Sequence, residues 1–125
     1  MNMATQTSRT EDQSIEDEIV RKGKTAPRVT PAGIEASIAS EYFINAGDAT
    51  VHCANPDDHV NLSCLTFCVL VLRNGFTVTG ESACASPENF DPEIGRKIAK
   101  QNATAKIWAL EGYLLKQRLS EGAIR

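Results

Sequence analysis

A cluster of small polar residues lies where an apolar segment gives way to one with helical spacing, in the stretch VTGESACASPENFDPEIG at residues 78–95. Three of its side chains offer neutral hydrogen-bonding groups: Ser82, Ser86 and Asn89. Gly80 lets another backbone or a ligand approach closely, because it has no Cβ. Asp91 followed by Pro92 is typical of an N-cap and the first helical residue. A helix that begins here would present free backbone N–H groups, which favour anions.

Cationic and aromatic side chains lie close to this cap. Three bases fall in the first turns of the helix: Arg96, Lys97 and Lys100. Phe90 precedes the cap and Trp108 lies further along, so either ring is a candidate to stack on a nucleobase. We therefore predict that a nucleotide phosphate binds near the helix N-terminus, with these ligand-binding residues: Ser82, Asn89, Phe90, Arg96, Lys97, Lys100 and Trp108. Asp91 opposes such a site, because its carboxylate occupies some N–H groups and repels an anion. The alternative is a tight connector whose polar side chains only cap the turn and the helix.

Metal-binding and catalytic patterns are weak. On a strand, Cys64 and Cys68 would lie about 13 Å apart, too far to chelate one metal. The two histidines, His52 and His59, fall near expected loops with nothing to fix their geometry. The glycines match neither a phosphate-binding loop nor a dinucleotide fingerprint. We predict no catalytic residue, no metal site and no cofactor.

Length and composition bound the class of protein. The 125 residues suffice for one domain, with 42% hydrophobic and 23% charged residues, as in ordinary globular proteins. No apolar run approaches the roughly 20 residues that cross a bilayer, so we expect no membrane partner. The polar, acidic N-terminus is unlike a signal peptide, so we expect a cytoplasmic location and reduced thiols. A net charge of −3 disfavours duplex nucleic acid as a partner.

A β-hairpin is the clearest structural signal. Asn74-Gly75 between β-rich runs predicts a two-residue type I′ turn. The register that follows pairs Arg73 with Phe76, Val71 with Val78 and Phe67 with Ser82. One face then forms the predicted core: Leu65, Phe67, Val69, Val71, Phe76 and Val78. The other face is apolar on one strand and polar on the other, which suits a subunit interface or a ligand floor: Cys68, Leu70 and Leu72 beside Glu81, Thr79 and Thr77.

Helical segments flank the hairpin. Thr10 to Gly23 predicts a short helix, and Thr30-Pro31 predicts the start of a second. Residues 42–44 predict a strand that ends in a turn, with a possible further strand at residues 49–53. The C-terminal helix carries an apolar stripe that predicts its buried face: Ile94, Ile98, Ala105, Leu110 and Leu114, with the small residues Gly95, Ala99 and Ala103 beside it.

These elements predict an α+β fold. An antiparallel sheet centred on a hairpin at residues 62–82 packs against a long C-terminal helix at about residues 91–121, with short N-terminal helices. Residues 1–10 have almost no apolar content and are expected to be disordered, and residues 11–125 form a single domain. A hairpin and one helix leave a sheet face without cover, so we expect a homo-oligomer.

Most of the chain beyond the acidic N-terminus resembles a known family. The run TFCVLVLRNGFTVTGESACASPENFDPEIGRKIAKQNATAKIWALEGYLLKQRL is similar to the gene-product-forty-nine-like family of small tailed-phage proteins, and the resemblance extends back through APRVTPAGIEASI. Its most specific parts are NGFTVTGES, NFDPEIG and IWALEGYLL. The function of this family is uncharacterised, so the resemblance implies a phage accessory protein, acting in the host cytoplasm, and no catalytic residues.

Two main classes of function remain open. The first is a counter-defence protein that binds and sequesters a small anionic nucleotide-derived host signal, favoured by the polar junction beside the basic residues. The second is a protein–protein inhibitor of a host enzyme, favoured by five acids in residues 1–20. A small structural or accessory phage protein without a ligand is a further alternative. An enzyme that acts on such nucleotides is the weakest interpretation.

Overall fold

A three-stranded antiparallel sheet and one long helix form the centre of the protein. The computed structural model describes the backbone of residues 3–122 and the side chains of residues 11–122. The strands are β1 (Ile38–Asn45), β2 (Leu65–Leu72) and β3 (Thr77–Ala83), in the order β1-β2-β3. The helices are α1 (Met3–Arg21), α2 (Pro31–Ser37), α3 (Ala46–Ala49), α4 (His59–Leu62) and α5 (Pro92–Ser120). The predicted α+β fold is confirmed.

The core lies between α5 and one face of the sheet. Its buried members come from α2, from β2 and β3, and from α5: Ile34, Cys68, Leu70, Leu72, Val78, Ala99, Ala103 and Ile107. Gly80 lies at the closest approach, because a Cβ there would collide with the backbone of Ala99 and Ala103. The close approach that Gly80 permits is therefore that of the helix backbone.

The hairpin turn is longer than predicted. The Leu72 N–H donates to the Phe76 carbonyl (2.8 Å), which leaves three residues in the loop between these two. Gly75 has a φ of +89°, whereas Asn74 is not in the positive-φ region that a type I′ turn requires at both central positions. A three-residue loop with glycine in the left-handed position is the next most common hairpin connection.

This change of one residue reverses the predicted faces of β2. Val71 pairs with Thr77, and Leu70 pairs with Val78, so the even-numbered residues of β2 face α5. The predicted core set was wrong in this strand, because these four residues are only half-buried on the opposite side: Leu65, Phe67, Val69 and Val71. The face predicted to be an interface or ligand floor was also wrong for Cys68, Leu70 and Leu72, which are buried in the core.

We call the side of the sheet that faces away from α5 the outer sheet face. Cross-strand pairs place these residues on it: Tyr42, Ile44, Leu65, Phe67, Val69, Val71, Thr77, Thr79 and Glu81. In the described part of the chain, α5 packs on β2 and β3 from the other side, and α1 and α2 contact α5. These three helices therefore lie on the same side of the sheet.

The helix starts follow the predicted caps. The Thr30 hydroxyl accepts a hydrogen bond from the Gly33 N–H (3.0 Å), and the Asp91 carboxylate accepts from Glu93 (2.8 Å) and Ile94 (3.1 Å). The small residues predicted beside the apolar stripe of α5, Gly95, Ala99 and Ala103, are buried as expected, together with Ile107. The larger apolar residues Leu110 and Leu114 are exposed instead.

The N-terminal region and the segment after β1 also differ from expectation. Helix α1 begins at Met3 rather than near Thr10, so it includes much of the segment expected to be disordered. Met1 and Asn2 lie outside the described residues, and the division into a disordered N-terminus and one domain stays a prediction. The possible strand at residues 49–53 was wrong, because these residues end α3 and form turns.

Candidate functional site

An open cavity of about 350 Å³ lies between the start of α5, the end of β1 and the beginning of β2. We call it the polar cavity. Eight residues line it: Phe43, Asn45, Asp48, Ser63, Thr66, Phe90, Pro92 and Arg96. Because three separate segments of the chain supply these residues, the cavity exists only in the folded chain.

Asn45 holds the β1 side of the polar cavity in place. Its side-chain oxygen accepts a hydrogen bond from the Asp48 N–H (3.1 Å) and so caps α3. Its amide nitrogen donates to the Ser63 carbonyl (2.9 Å), just before β2. Gly47 permits this close approach, since a Cβ there would collide with Ser63. One side chain thus joins the end of β1 to the segment that leads into β2.

Thr66 supplies a buried hydroxyl at the inner wall of the polar cavity. The residue is 4% exposed, and among the described residues no hydrogen bond engages its hydroxyl. The great majority of buried side-chain polar groups have a partner, so an unbonded hydroxyl beside an open cavity points to a ligand or water as its partner. The hydroxyl faces Gly95 of α5, whose missing Cβ leaves room for it.

Arg96 supplies the positive charge of the polar cavity. It is exposed on the first turns of α5, and within residues 11–122 neither a hydrogen bond nor an ion pair engages its guanidinium. A guanidinium presents several N–H donors in a planar fork that matches phosphate or carboxylate oxygens. The half-buried rings of Phe43 and Phe90 add apolar surface, and Asp48 places one negative charge at the rim.

The start of α5 itself offers fewer donors than the sequence predicted. Pro92 has no N–H, and the Asp91 carboxylate accepts from Glu93 and Ile94. The Gly95 N–H donates to the Asp91 carbonyl (2.9 Å). The first turn of α5 is therefore internally satisfied, and the prediction of free N–H groups for an anion was wrong. An anion in the polar cavity has Arg96 and the hydroxyls as its donors.

The structure distributes the predicted ligand-binding residues over separate places. Phe90 and Arg96 line the polar cavity. Ser82 lies on β3 opposite Thr66, and Asn89 is exposed in a 3₁₀ turn; neither lines the cavity. The remaining three lie along a different side of α5: Lys97, Lys100 and Trp108. Sequence reasoning missed Asn45, Ser63 and Thr66, although a threonine within the apolar run LTFCVLVL was a usable signal for a buried polar group.

The second group of residues belongs to a groove between α1, α2 and α5. This helical groove has a volume of about 1110 Å³ and a largely apolar lining that includes Ile19, Ile34 and Trp108. Lys100 pairs with Glu41 (2.9 Å) and Glu35 (3.8 Å), and Lys97 pairs with Glu93 (3.4 Å). These two lysines are engaged with carboxylates, so they are less available to an anion than Arg96.

Two other side chains are of types that can carry reactive chemistry, Cys68 and Ser63. Burial raises the pKa of the Cys68 thiol to about 11, the Glu41 carboxylate raises it as well, and Lys100 lowers it. Cys68 is therefore a neutral core thiol at physiological pH. The Ser63 hydroxyl lies 3.5 Å from His59 Nε2, longer than an ordinary O–H···N hydrogen bond. Among the described residues, no group of three or more His, Cys, Asp or Glu side chains is arranged to hold a metal ion.

Fold and site together define a small α+β protein with a one-sided antiparallel sheet and a polar cavity at the start of its long helix. The chain belongs to the phage protein (N4 Gp49/phage Sf6 gene 66) family, whose sequence profile matches residues 29–119. This confirms the resemblance to a small phage protein family. The match includes every residue that lines the polar cavity and leaves α1 outside. No curated protein and no solved structure matches the chain. In the part that the structure describes, none of the helices is both long and apolar enough to span a membrane.

Proposed function

We propose that this phage protein is a counter-defence protein that binds and sequesters a small anionic, nucleotide-derived host signal in the host cytoplasm. One observation carries the proposal. The unpaired Arg96 guanidinium and the unbonded, buried Thr66 hydroxyl line the same cavity as two phenylalanine rings. These groups match the parts of a nucleotide, which combines a phosphate with an aromatic base.

The chemistry of each wall supports a phosphate-bearing ligand. Arg96 binds two phosphate oxygens through its N–H fork, and Thr66 and Ser63 donate from their hydroxyls. Phe43 and Phe90 offer rings for a base to contact, a sequence-tolerant interaction worth about 1 to 3 kcal/mol per base in single-strand binding proteins. The volume of about 350 Å³ falls at the lower end of the roughly 300 to 1,000 Å³ of small-molecule sites.

Sequestration is favoured over turnover by the geometry beside the cavity. The Ser63 hydroxyl has a histidine near it, but its distance of 3.5 Å from His59 Nε2 exceeds the roughly 2.6 to 3.2 Å at which a general base contacts the proton that it takes. A ligand held by Arg96 and Thr66 would then leave unchanged. Analysis of the nucleotide after incubation with the protein tests this point, and a hydrolysed product would favour an enzyme.

Isothermal titration calorimetry against a panel of linear and cyclic nucleotides tests the binding site. Arg96→Ala should weaken binding by about 1.5 to 3 kcal/mol, roughly ten- to a hundredfold, because it removes a charged hydrogen bond. Lys116→Ala, which removes an exposed cation near the other end of α5, is the matched control and should leave the affinity unchanged. If no nucleotide binds, or if Arg96→Ala binds as the wild type does, the polar cavity is not a nucleotide site.

The exposed acids of α1 favour a second candidate, a protein–protein inhibitor of a host enzyme. Four of them point to solvent: Glu11, Asp12, Asp17 and Glu18. Replacing these four by Gln or Asn keeps Glu16, which binds Arg28, and therefore keeps the attachment of α1. The variant should lose inhibition if the acidic surface docks on an enzyme, and it should bind nucleotide normally if the polar cavity is the functional site.

A further inference from the structure

The outer sheet face combines exposure with apolar character. Tyr42 is 59% exposed and Ile44 43%, and both lie on β1 beside half-buried residues of β2. Tyr42 pairs with Val69, which pairs in turn with Thr79 of β3. Apolar side chains of β1 and β2 therefore form a continuous patch, which β3 borders with Thr77, Thr79 and Glu81. Extended exposed patches of this kind mark interaction sites in proteins that are otherwise covered by polar groups.

Three helices of the described chain lie on the other side of the sheet. Helix α5 packs on the opposite side of β2 and β3, where Gly80 brings it into backbone contact. Helices α1 and α2 contact α5, so they lie on the α5 side of the sheet. An antiparallel sheet commonly leaves one face in water, but such a face is usually polar, so the apolar side chains of β1 and β2 on the outer sheet face favour a further packing partner.

We infer that the outer sheet face is the interface between two copies of this chain, packed sheet on sheet around a two-fold axis. The charge distribution supports a second copy as the occupant. The chain has a net charge of −3, which makes copies repel, yet Glu81 is the one charged residue among those assigned to this face, and it lies on an edge strand. A nearly neutral apolar surface is complementary to itself, as a two-fold interface requires.

The area of the outer sheet face also fits a dimer. Strands of eight, eight and seven residues span a footprint of about 25 by 15 Å at the usual strand spacings. This flat footprint is roughly 375 Å² per copy, and side-chain relief increases the accessible area above that, so an interface between two copies lies near the lower end of specific interfaces, about 1,200 Å² in total, and favours a dimer that forms at high protein concentration. Aromatic and aliphatic side chains with few charges are the composition expected at the centre of such an interface.

Light scattering after size-exclusion chromatography, over a wide range of protein concentration, tests this inference. We expect the wild type to have twice the mass of one chain at high concentration. Val69→Glu places a charge at the centre of the outer sheet face and should raise the dimer dissociation constant at least about a hundredfold. Tyr42→Glu should also weaken the dimer, and because the Tyr42 side chain is exposed, we expect this variant to fold as the wild type does. Circular dichroism confirms that each variant is folded.

Tyr113→Glu is the matched control, because Tyr113 is 75% exposed on α5 and lies outside the sheet. It should dimerise as the wild type does. A wild type that is monomeric at every concentration overturns the inference, as does a dimer that neither sheet variant weakens. A monomer whose outer sheet face binds a host protein overturns it too. The test measures mass alone, so its result is independent of whether the polar cavity binds a nucleotide.

Discussion

Thr66 and Gly95 face each other across the contact between the sheet and α5. The Thr66 hydroxyl oxygen lies 3.0 Å from the position that a Cβ on Gly95 would take. Glycine at this position leaves the hydroxyl in place at the wall of the polar cavity, buried and, among the described residues, without a hydrogen bond. A buried polar group kept without a protein partner costs folding free energy, so its presence favours a role in binding.

Thr66→Val should show the effect of the Thr66 hydroxyl on stability separately from its effect on ligand binding. The substitution replaces the unbonded hydroxyl by a methyl group of similar size, so we expect the free energy of unfolding to stay unchanged or rise by up to about 2 kcal/mol. Binding of any ligand that accepts from the hydroxyl should weaken by about 1 kcal/mol. Urea denaturation and calorimetry measure the two quantities.

Thr66→Ser is the matched control for this prediction, because it keeps the hydroxyl and removes the methyl group. It should retain the affinity and lose stability to the small void that the methyl group leaves. A Thr66→Val protein that is strongly destabilised would contradict the premise that the hydroxyl has no partner in the fold.

Arg28 and Glu16 attach α1 to the rest of the protein. The guanidinium donates two hydrogen bonds to the carboxylate, at 2.9 and 2.8 Å, and both side chains are mostly buried. A double-mutant cycle with Arg28→Ala and Glu16→Ala should give a coupling energy of about 1 to 2 kcal/mol, because the pair is bidentate and shielded from water. Hydrogen exchange in α1 should accelerate in either single variant.

The exposed pair of Lys22 and Glu18 (2.8 Å), four residues apart at the C-terminal end of α1, is the control. Its coupling should be only about 0.3 to 0.5 kcal/mol, the usual value for pairs four residues apart on a helix surface. If the two cycles give the same coupling, the Arg28–Glu16 pair contributes no more to the attachment of α1 than a surface ion pair does.

Local signals predicted the starts of α2 and α5, whereas the strand register depended on a single residue of loop length. The caps at Thr30 and Asp91 act within three residues of chain, so sequence alone identifies them. Asn74-Gly75 is compatible with a two-residue or a three-residue loop. The packing decides between them, because the three-residue loop brings Leu70 and Val78 together against α5.

Only part of the polar cavity could be predicted from the sequence, because its lining comes from separate segments of the chain. Phe90 and Arg96 belong to the segment around the cap of α5, so a search along the sequence finds them together. Asn45 and Ser63 are eighteen residues apart and meet through one hydrogen bond that depends on the position of α3 and α4. Such contacts follow from tertiary packing, and no local pattern in the sequence indicates them.

Gly80→Ala should destabilise the fold strongly. An alanine Cβ at this position would collide with the Ala99 carbonyl and the Ala103 backbone, neither of which is a flexible side-chain end. We expect a loss of about 3 kcal/mol or more in the free energy of unfolding, because α5 must move away from β3. Gly112→Ala is the control: nothing lies within 4 Å of that Cβ, so the variant should gain about 0.5 to 1 kcal/mol from helix propensity.

Cys68 should make the stability of the protein fall at alkaline pH. Its pKa in the folded state is raised from 9.0 to about 11, first by burial and then by Glu41, with Lys100 acting in the opposite direction. The buried neutral thiol contributes fully to stability at pH values below 9.0, the pKa of an unperturbed Cys thiol. This contribution is lost as the pH rises through the folded-state pKa of about 11. Linkage puts the loss at about 2 to 3 kcal/mol.

Comparison with Cys68→Ala isolates this effect, because lysines and tyrosines titrate in the same range in both proteins. The variant is expected to be less stable at neutral pH, since it leaves a small void in the core. Urea denaturation between about pH 8 and about pH 11 should show the two stabilities converging as the wild type loses the contribution of its neutral thiol. Parallel curves would mean that the Cys68 thiol has the same pKa in the folded and unfolded states. Fast alkylation of Cys68 at neutral pH, at the rate of the exposed Cys53, would contradict its burial directly.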